Sequence, residues 1–297
     1  MESMTAFRWT VAEGGYRWTD KKTGDGRQRV LEAKAPGSHP PALSYNPLRD
    51  RPGLFRDFGL LNATETAIAE FADRNGLLGG VRPDTFSQIP EPFSLWAGQI
   101  RAMKAAIDLK ELLRRKDAES LGSWIAWESD GAGNVFVYAT WAGGKELISS
   151  SRVGVDILEQ FPTGDLLGPA RSFLESLVNR NVAERVQFRL RHHESGNASL
   201  ASWPRNLLGA LWLQFAEYHA GKELRWCVEC TKCFAIRERA RSDVQYCSVA
   251  CRNRAYRKRQ EQARALHAEG KTAKQIAQEI ESDVKTVKRW ISTWKGR

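Results

Sequence analysis

The first 226 residues of this chain contain no cysteine, and only five occur in all 297. Small secreted domains held by disulfides spread an even number of cysteines through the chain, so that framework is excluded. Long apolar runs are missing too. The most apolar stretch, Leu207 to Ala216, is interrupted by Gly209 and Gln214, and it falls well short of the roughly 20 residues that cross a bilayer. The opening Met1-Glu2-Ser3-Met4-Thr5 has no basic segment leading into an apolar one. No signal peptide and no membrane contact are therefore expected, and a cytoplasmic, nucleoid-associated location is.

Signatures of catalysis are equally scarce. Gly131-x-Gly133 lacks the strand-to-helix setting of a nucleotide site, and Gly143-Gly144-Lys145 runs into Glu146 where a P-loop needs Ser or Thr. His192-His193-Glu194 reads as a strand end, where adjacent side chains point to opposite faces and do not share a metal. No metalloprotease motif or nucleophile elbow occurs. No enzyme is expected on these grounds, although a nuclease centre built from scattered acids would leave no recognisable spacing.

What is present is an ordinary globular composition, 42% hydrophobic and 27% charged, with length for about two domains. The charge is unevenly placed. Residues 222–297 carry 19 Lys and Arg against 9 Asp and Glu, while the preceding residues balance at 26 of each sign. The whole net charge of +10 thus sits in the last quarter, where it would attract a polyanion.

The same quarter holds every cysteine: Cys227, Cys230, Cys233, Cys247 and Cys251. Two close pairs across a short loop suit tetrahedral zinc. Cys227 and Cys230 make a C-x2-C knuckle, and Cys247 and Cys251 a C-x3-C pair at the start of a helix. Cys230 and Cys233 are also spaced C-x2-C, so the first pair has two readings. Cys227 with Cys230 leaves Phe234 after the knuckle and Tyr246 before Cys247, two aromatics that would give so small a module a core. Cys233 is then a small thiol, buried or half-exposed. Directly after Cys251 come Arg252, Arg254, Arg257, Lys258 and Arg259. On one helix these cations repel each other, and phosphates would relieve the repulsion. The plainer alternative is a solvated basic face.

Trp226-Cys227-x2-Cys230-x3-Phe234 followed by Tyr246-Cys247-Ser248-x2-Cys251-Arg252-Asn253-Arg254 resembles the CGNR-type zinc fingers of bacterial transcription regulators. The resemblance covers roughly residues 225–259. It implies zinc on Cys227, Cys230, Cys247 and Cys251. The chain departs from the family pattern at Arg252, where the family has glycine, and at Cys233. Family members often carry a larger N-terminal domain.

Residues 260–297 read as three helices. Gln260 to Glu269 stops at Gly270. Thr272 caps Ala273 to Ile280 with Gln275 as its capping-box partner. Asp283 caps a third helix reaching about Trp294. Leu266, Ile276, Ala277, Ile280, Val287, Trp290 and Ile291 fit one shared core. The segment resembles resolvase-, transposase- and homeodomain-like helix-turn-helix units, with Glu281 and Ser282 where a glycine and an apolar residue are usual. That resemblance implies duplex DNA as partner. Val284, Lys285, Lys288 and Arg289 would then face base edges, and Lys271, Lys274 and Thr286 phosphates.

Residues 1–221 read as an α+β domain that senses a small molecule, binds a protein partner or forms a homodimer. Residues around Phe7, Trp9 and Val11, and around Tyr16 and Trp18, alternate as strands do. Residues 35–53 read as an irregular connection. Asn62 with Glu65 starts a helix, 94–119 makes a long one, and 124–127 and 135–141 form a hairpin. A helix near 164–180, a strand near 184–192 and a helix near 204–220 follow. The eight tryptophans here read mostly as core. The full expectation is an α+β domain, a zinc module over 222–259 and an all-α helix-turn-helix over 260–297, acting as a DNA-binding regulator. A nuclease or recombinase-like enzyme that uses the C-terminal region to deliver DNA is one alternative, and an RNA-binding adaptor another.

Overall fold

The computed structural model describes residues 7–23, 26–34, 42–79, 89–151, 161–192, 197–231, 233–236 and 244–292. The chain divides into two units, Met1–Lys222 and Glu223–Arg297.

The first unit mixes helices with four small antiparallel sheets. Strand β1 (Trp9–Ala12) pairs with β4 (Ala42–Tyr45), and β2 (Tyr16–Thr23) forms a hairpin with β3 (Gly26–Ala33). The short β5 (Glu91–Pro92) extends that hairpin. Strands β6 (Ile125–Ser129), β7 (Val135–Trp141) and β8 (Gly144–Ser150) make a meander, and β9 (Val186–His192) pairs with β10 (Ala198–Pro204). The helices are α1 (Pro47–Asp50), α2 (Leu54–Gly59), α3 (Glu65–Asn75), α4 (Phe93–Arg115), α5 (Ala118–Leu121), α6 (Leu167–Arg185) and α7 (Leu207–His219).

The alternating strands, the long helix and the helix at 204–220 lie where the sequence places them, within a few residues. Three features differ. Residues 35–53 are not wholly irregular: β4 and α1 form there, because Asn46 caps α1 through the Leu48 and Arg49 amides. Thr64, not Asn62, caps α3, accepting from the Ala67 amide. Strand β8 turns the expected hairpin into a meander. The turn expected at Gly24 and Asp25 lies outside the described residues.

The core of this unit is aromatic. Phe58, Phe71 and Trp96 meet with ring centroids 5.5–6.1 Å apart, and Phe55 packs edge-on to Phe215. Of the eight tryptophans, only Trp9, Trp96 and Trp212 are buried. The others are half-buried. Trp18 and Trp127 donate their indole N–H to backbone carbonyls of Glu65 and Asp165, each at 2.8 Å. An indole that keeps its polar edge satisfied sits readily at a boundary.

Helix α7 is buried along Leu207–Phe215, which accounts for the most apolar run in the chain. The polar interruption at Gln214 has a physical reason. Its Oε1 accepts from the Gly53 and Phe55 amides at 3.2 and 3.3 Å. Its Nε2 donates to the Pro47 and Arg51 carbonyls at 2.9 and 3.0 Å. One buried amide thus satisfies the start of α2 and the end of α1 together.

The second unit opens with a hairpin of β11 (Leu224–Trp226) and β12 (Cys233–Ala235). Helices α8 (Val249–Ala268), α9 (Ala273–Glu279) and α10 (Val284–Ser292) follow. Helix α8 runs unbroken through Arg259 and Gln260, so the cysteine-bearing segment and the three-helix segment share one element. Ala263, Leu266, Ile276, Ala277, Ile280, Val287 and Trp290 form the buried core of the three helices. Among the described residues no helix is long and apolar enough to cross a membrane.

Replacing Gln214 with leucine keeps the volume, removes four hydrogen bonds and leaves the Gly53 and Phe55 amides unpaired. The expected loss is roughly 2–4 kcal/mol of stability in the first unit. It would be read as a lower urea midpoint, and an unchanged midpoint would contradict this role.

Candidate metal centre and nucleic-acid interface

The hairpin register sets the first pair of thiols. Trp226 lies opposite Cys233, so the turn between them must carry Cys227 and Cys230. It closes through the Thr231 amide, which donates to the Cys227 carbonyl at 2.8 Å, with Thr231 in the left-handed region at φ 56°. The Val228 amide donates to the Gln245 carbonyl at 3.1 Å, which brings in the strand-like approach to Cys247. Ser248 then caps α8 by accepting from the Cys251 amide at 3.2 Å. Cys251 therefore sits in the first helical turn.

These constraints gather Cys227, Cys230, Cys247 and Cys251. Their sulfurs all lie within 4.8 Å of one another, with Cys230–Cys247 and Cys247–Cys251 each at 3.6 Å. Metal–thiolate bonds of about 2.3 Å in a tetrahedron give sulfur–sulfur edges of about 3.8 Å. The four thiols are thus placed to hold one metal ion. Cys233, on β12, is not one of the gathered four, which resolves the double reading of the first pair. Cys227 and Cys251 are buried with Phe234, and Tyr246, Val244 and Ile236 pack around them. The two aromatics expected to flank the site do so.

The thiols are electrostatically unequal. Burial pushes Cys227 up, but the amides of Cys247, Cys230 and Glu229 outweigh it and hold the thiol at about 6. Burial, reinforced by the neighbouring thiols of Cys251, Cys230 and Cys227, drives Cys247 up to about 12. The backbone therefore prepares Cys227 as a thiolate, while crowding opposes full ionisation unless a cation is present.

The basic residues fall into two groups. Arg252, Arg254 and Arg257 on α8, Lys274 on α9, and Lys285, Lys288 and Arg289 on α10 are exposed. Val284 is exposed beside them. The remainder are engaged or half-buried. Lys258 pairs at 2.8 Å with Glu229, whose side chain is only 7% exposed, and this pins α8 to the knuckle. Lys271 pairs with Glu279 at 2.6 Å. Arg259 is half-buried. Thr286 donates its amide to Asp283 Oδ1 at 2.8 Å, and its side chain also bonds that cap.

Tyr256, lying within the basic run, has a packing role the sequence did not reveal. Its hydroxyl accepts from Trp290 Nε1 at 2.6 Å, and the rings meet edge-on with centroids 5.3 Å apart at 82°. A Tyr four residues before Gln260 in helical phase with Ala263 is the available signal. The capping box of Thr272 and Gln275 is present in full. Both helix ends before the turns use the same closure. The Lys271 amide reaches the Leu266 carbonyl at 3.1 Å, and the Ser282 amide reaches Ala277 at 2.9 Å. The intervening residue is Gly270 at φ 91° in the first and Glu281 at φ 49° in the second.

No family model, curated protein or solved structure matches this chain.

The left-handed residue is inexpensive as glycine and strained as glutamate. Glu281→Gly is expected to stabilise the three-helix unit by about 0.5–1 kcal/mol. Thermal unfolding of the two proteins side by side checks this, and a lower melting temperature for the variant would refute it.

Proposed function

We propose that this chain is a DNA-binding regulator in which one zinc ion, held by Cys227, Cys230, Cys247 and Cys251, fixes a cationic surface for duplex DNA. The observation that carries the reading is the continuity of α8. One helix starts in the four-thiol cluster and ends in the core of the three-helix unit. The cations between those anchors therefore sit on a rigid rail. The uneven charge of the chain supports the same reading, as does the resemblance to CGNR-type zinc fingers.

In this mechanism zinc supplies no chemistry beyond charge and geometry. Arg252, Arg254 and Arg257 meet phosphates along the backbone, and Lys274 adds a contact from α9. Lys285, Lys288 and Arg289 lie on the face of α10 opposite Val287 and Trp290. That face enters the major groove, where Lys and Arg donate to guanine O6 and N7. Lys258 and Lys271 act chiefly through their ion pairs with Glu229 and Glu279. Thr286 belongs to the cap of its helix. The first unit serves as the effector or assembly domain.

The four cations set against phosphates give a slope of about −3.6 for log affinity against log salt concentration. Arg257→Ala is expected to lower that slope by about one on every sequence, whereas Lys288→Ala changes which sequences are preferred. Cys227→Ser and Cys251→Ser are expected to lose the metal, measured by elemental analysis, and duplex binding, measured by mobility shift. Tight binding by the metal-free protein would overturn the proposal. Plasmid cleavage in Mg²⁺ or Mn²⁺ would favour an enzyme instead, and preferential binding of RNA at matched salt an RNA adaptor.

A further inference from the structure

Helix α4 carries a glycine, Gly98, well inside its 23 residues. Glycine weakens a helix interior, so its presence needs a reason. Close packing supplies one elsewhere in this unit. A Cβ on Gly59 would meet Ile107 Cδ1 at 2.7 Å, and one on Gly209 would meet the Arg185 carbonyl oxygen at 2.5 Å. At Gly98 nothing lies within 4 Å of that position. Neither packing nor backbone conformation requires a glycine here. What it leaves is room, in the lining of a cleft of about 400 Å³ between α4, α6 and the β7–β8 turn. That volume lies within the range of small-molecule sites.

The rest of the lining is chemically selective. Arg101, Arg180 and Arg185 face the cleft, against one lining carboxylate, Glu184. Arg185 is the more enclosed, its side chain 18% exposed against 50% for Arg180, and it donates to the Asn181 carbonyl at 3.2 Å and to Glu184 at 2.7 Å. Glu146 holds Arg180 at 3.2 Å and accepts from Trp141 Nε1 at 3.1 Å, so one carboxylate fixes both a guanidinium and an indole. Arg101 is exposed and has no ion-pair partner among the described residues. Trp141 is a half-buried residue of the lining, with Phe173 tilted beside it at 6.1 Å between ring centroids and Gly143 close against its six-membered ring. Gln99 Oε1 accepts from Trp212 Nε1 at 3.2 Å, which leaves its amide hydrogens as what it offers a ligand.

We propose that this cleft binds a small planar molecule bearing a carboxylate or phosphate, its ring against Trp141 and its anion between Arg101 and Arg180. A guanidinium fork matches either anion. The site lies wholly within the first unit and does not depend on the DNA-binding reading.

Isothermal titration of the full chain with salicylate and with adenosine monophosphate tests it, against salicylamide and adenosine as uncharged counterparts. At least one charged probe is expected to bind, at least tenfold more tightly than its counterpart. The probe that binds distinguishes a carboxylate from a phosphate ligand. Arg101→Ala, an exposed change that leaves the core intact, is expected to weaken binding at least tenfold. Gly98→Leu is expected to abolish it, while Gly98→Ala raises the melting temperature by about 2–4 °C. Failure of both charged probes to bind, equal binding of the uncharged pair, or full affinity in the Arg101→Ala and Gly98→Leu proteins would each overturn the proposal.

Discussion

Four thiols packed within 4.8 Å of one another form an arrangement that the polypeptide alone holds at a cost. Each ionisation makes the next harder, and burial adds to the penalty. A divalent cation at the centre removes both terms at once. The chain favours that outcome through amides aimed at Cys227. The cations that follow on α8 inherit their position from this cluster, because α8 begins inside it.

The sequence announced this cluster clearly because metal ligation is a short-range constraint. Two pairs of like residues at fixed spacing are visible without knowing the fold. The Thr272 and Gln275 box is local for the same reason, and so are the apolar positions of the three helices. The choice between Cys227 and Cys233 was not local. It depends on the β11–β12 register, which puts Cys233 on a strand opposite Trp226. Lys258 was read as one cation of a basic run and Tyr256 was not singled out, since their partners Glu229 and Trp290 are distant in sequence in opposite directions. Charge composition identifies a cationic segment but does not say which cations are already spent.

The first unit was legible as elements and opaque as a site. Periodicity locates α4 and α7, yet it cannot say why α7 contains Gln214 or why α4 contains Gly98. Both residues break a local rule. Gln214 is repaid by four backbone bonds. Gly98 has no such compensation within the fold, and a local rule broken without structural gain points toward function. Strand β8 was missed because Gly144–Ser150 buries only Ser150 fully, so it lacks the alternation by which a half-buried strand is recognised.

The sharing of α8 has a mechanical consequence. Among the described residues the thiol cluster buries Cys227, Phe234 and Cys251, and the three-helix core buries seven. Each is small for an independent fold. Arg252 to Arg259 lie between the anchor at Cys251 and the anchor at Ala263, with Tyr256 tied to Trp290 midway. Helix propagation is cooperative, so a segment held at both ends stays helical despite its like charges. Release of the thiol end leaves Arg252 and Arg254 on a free, self-repelling terminus, while Ala263 and Leu266 remain packed. The cationic rail is therefore lost before the helical core is. A metal in the cluster would act on the surface charge it orders, more than on the existence of the three helices.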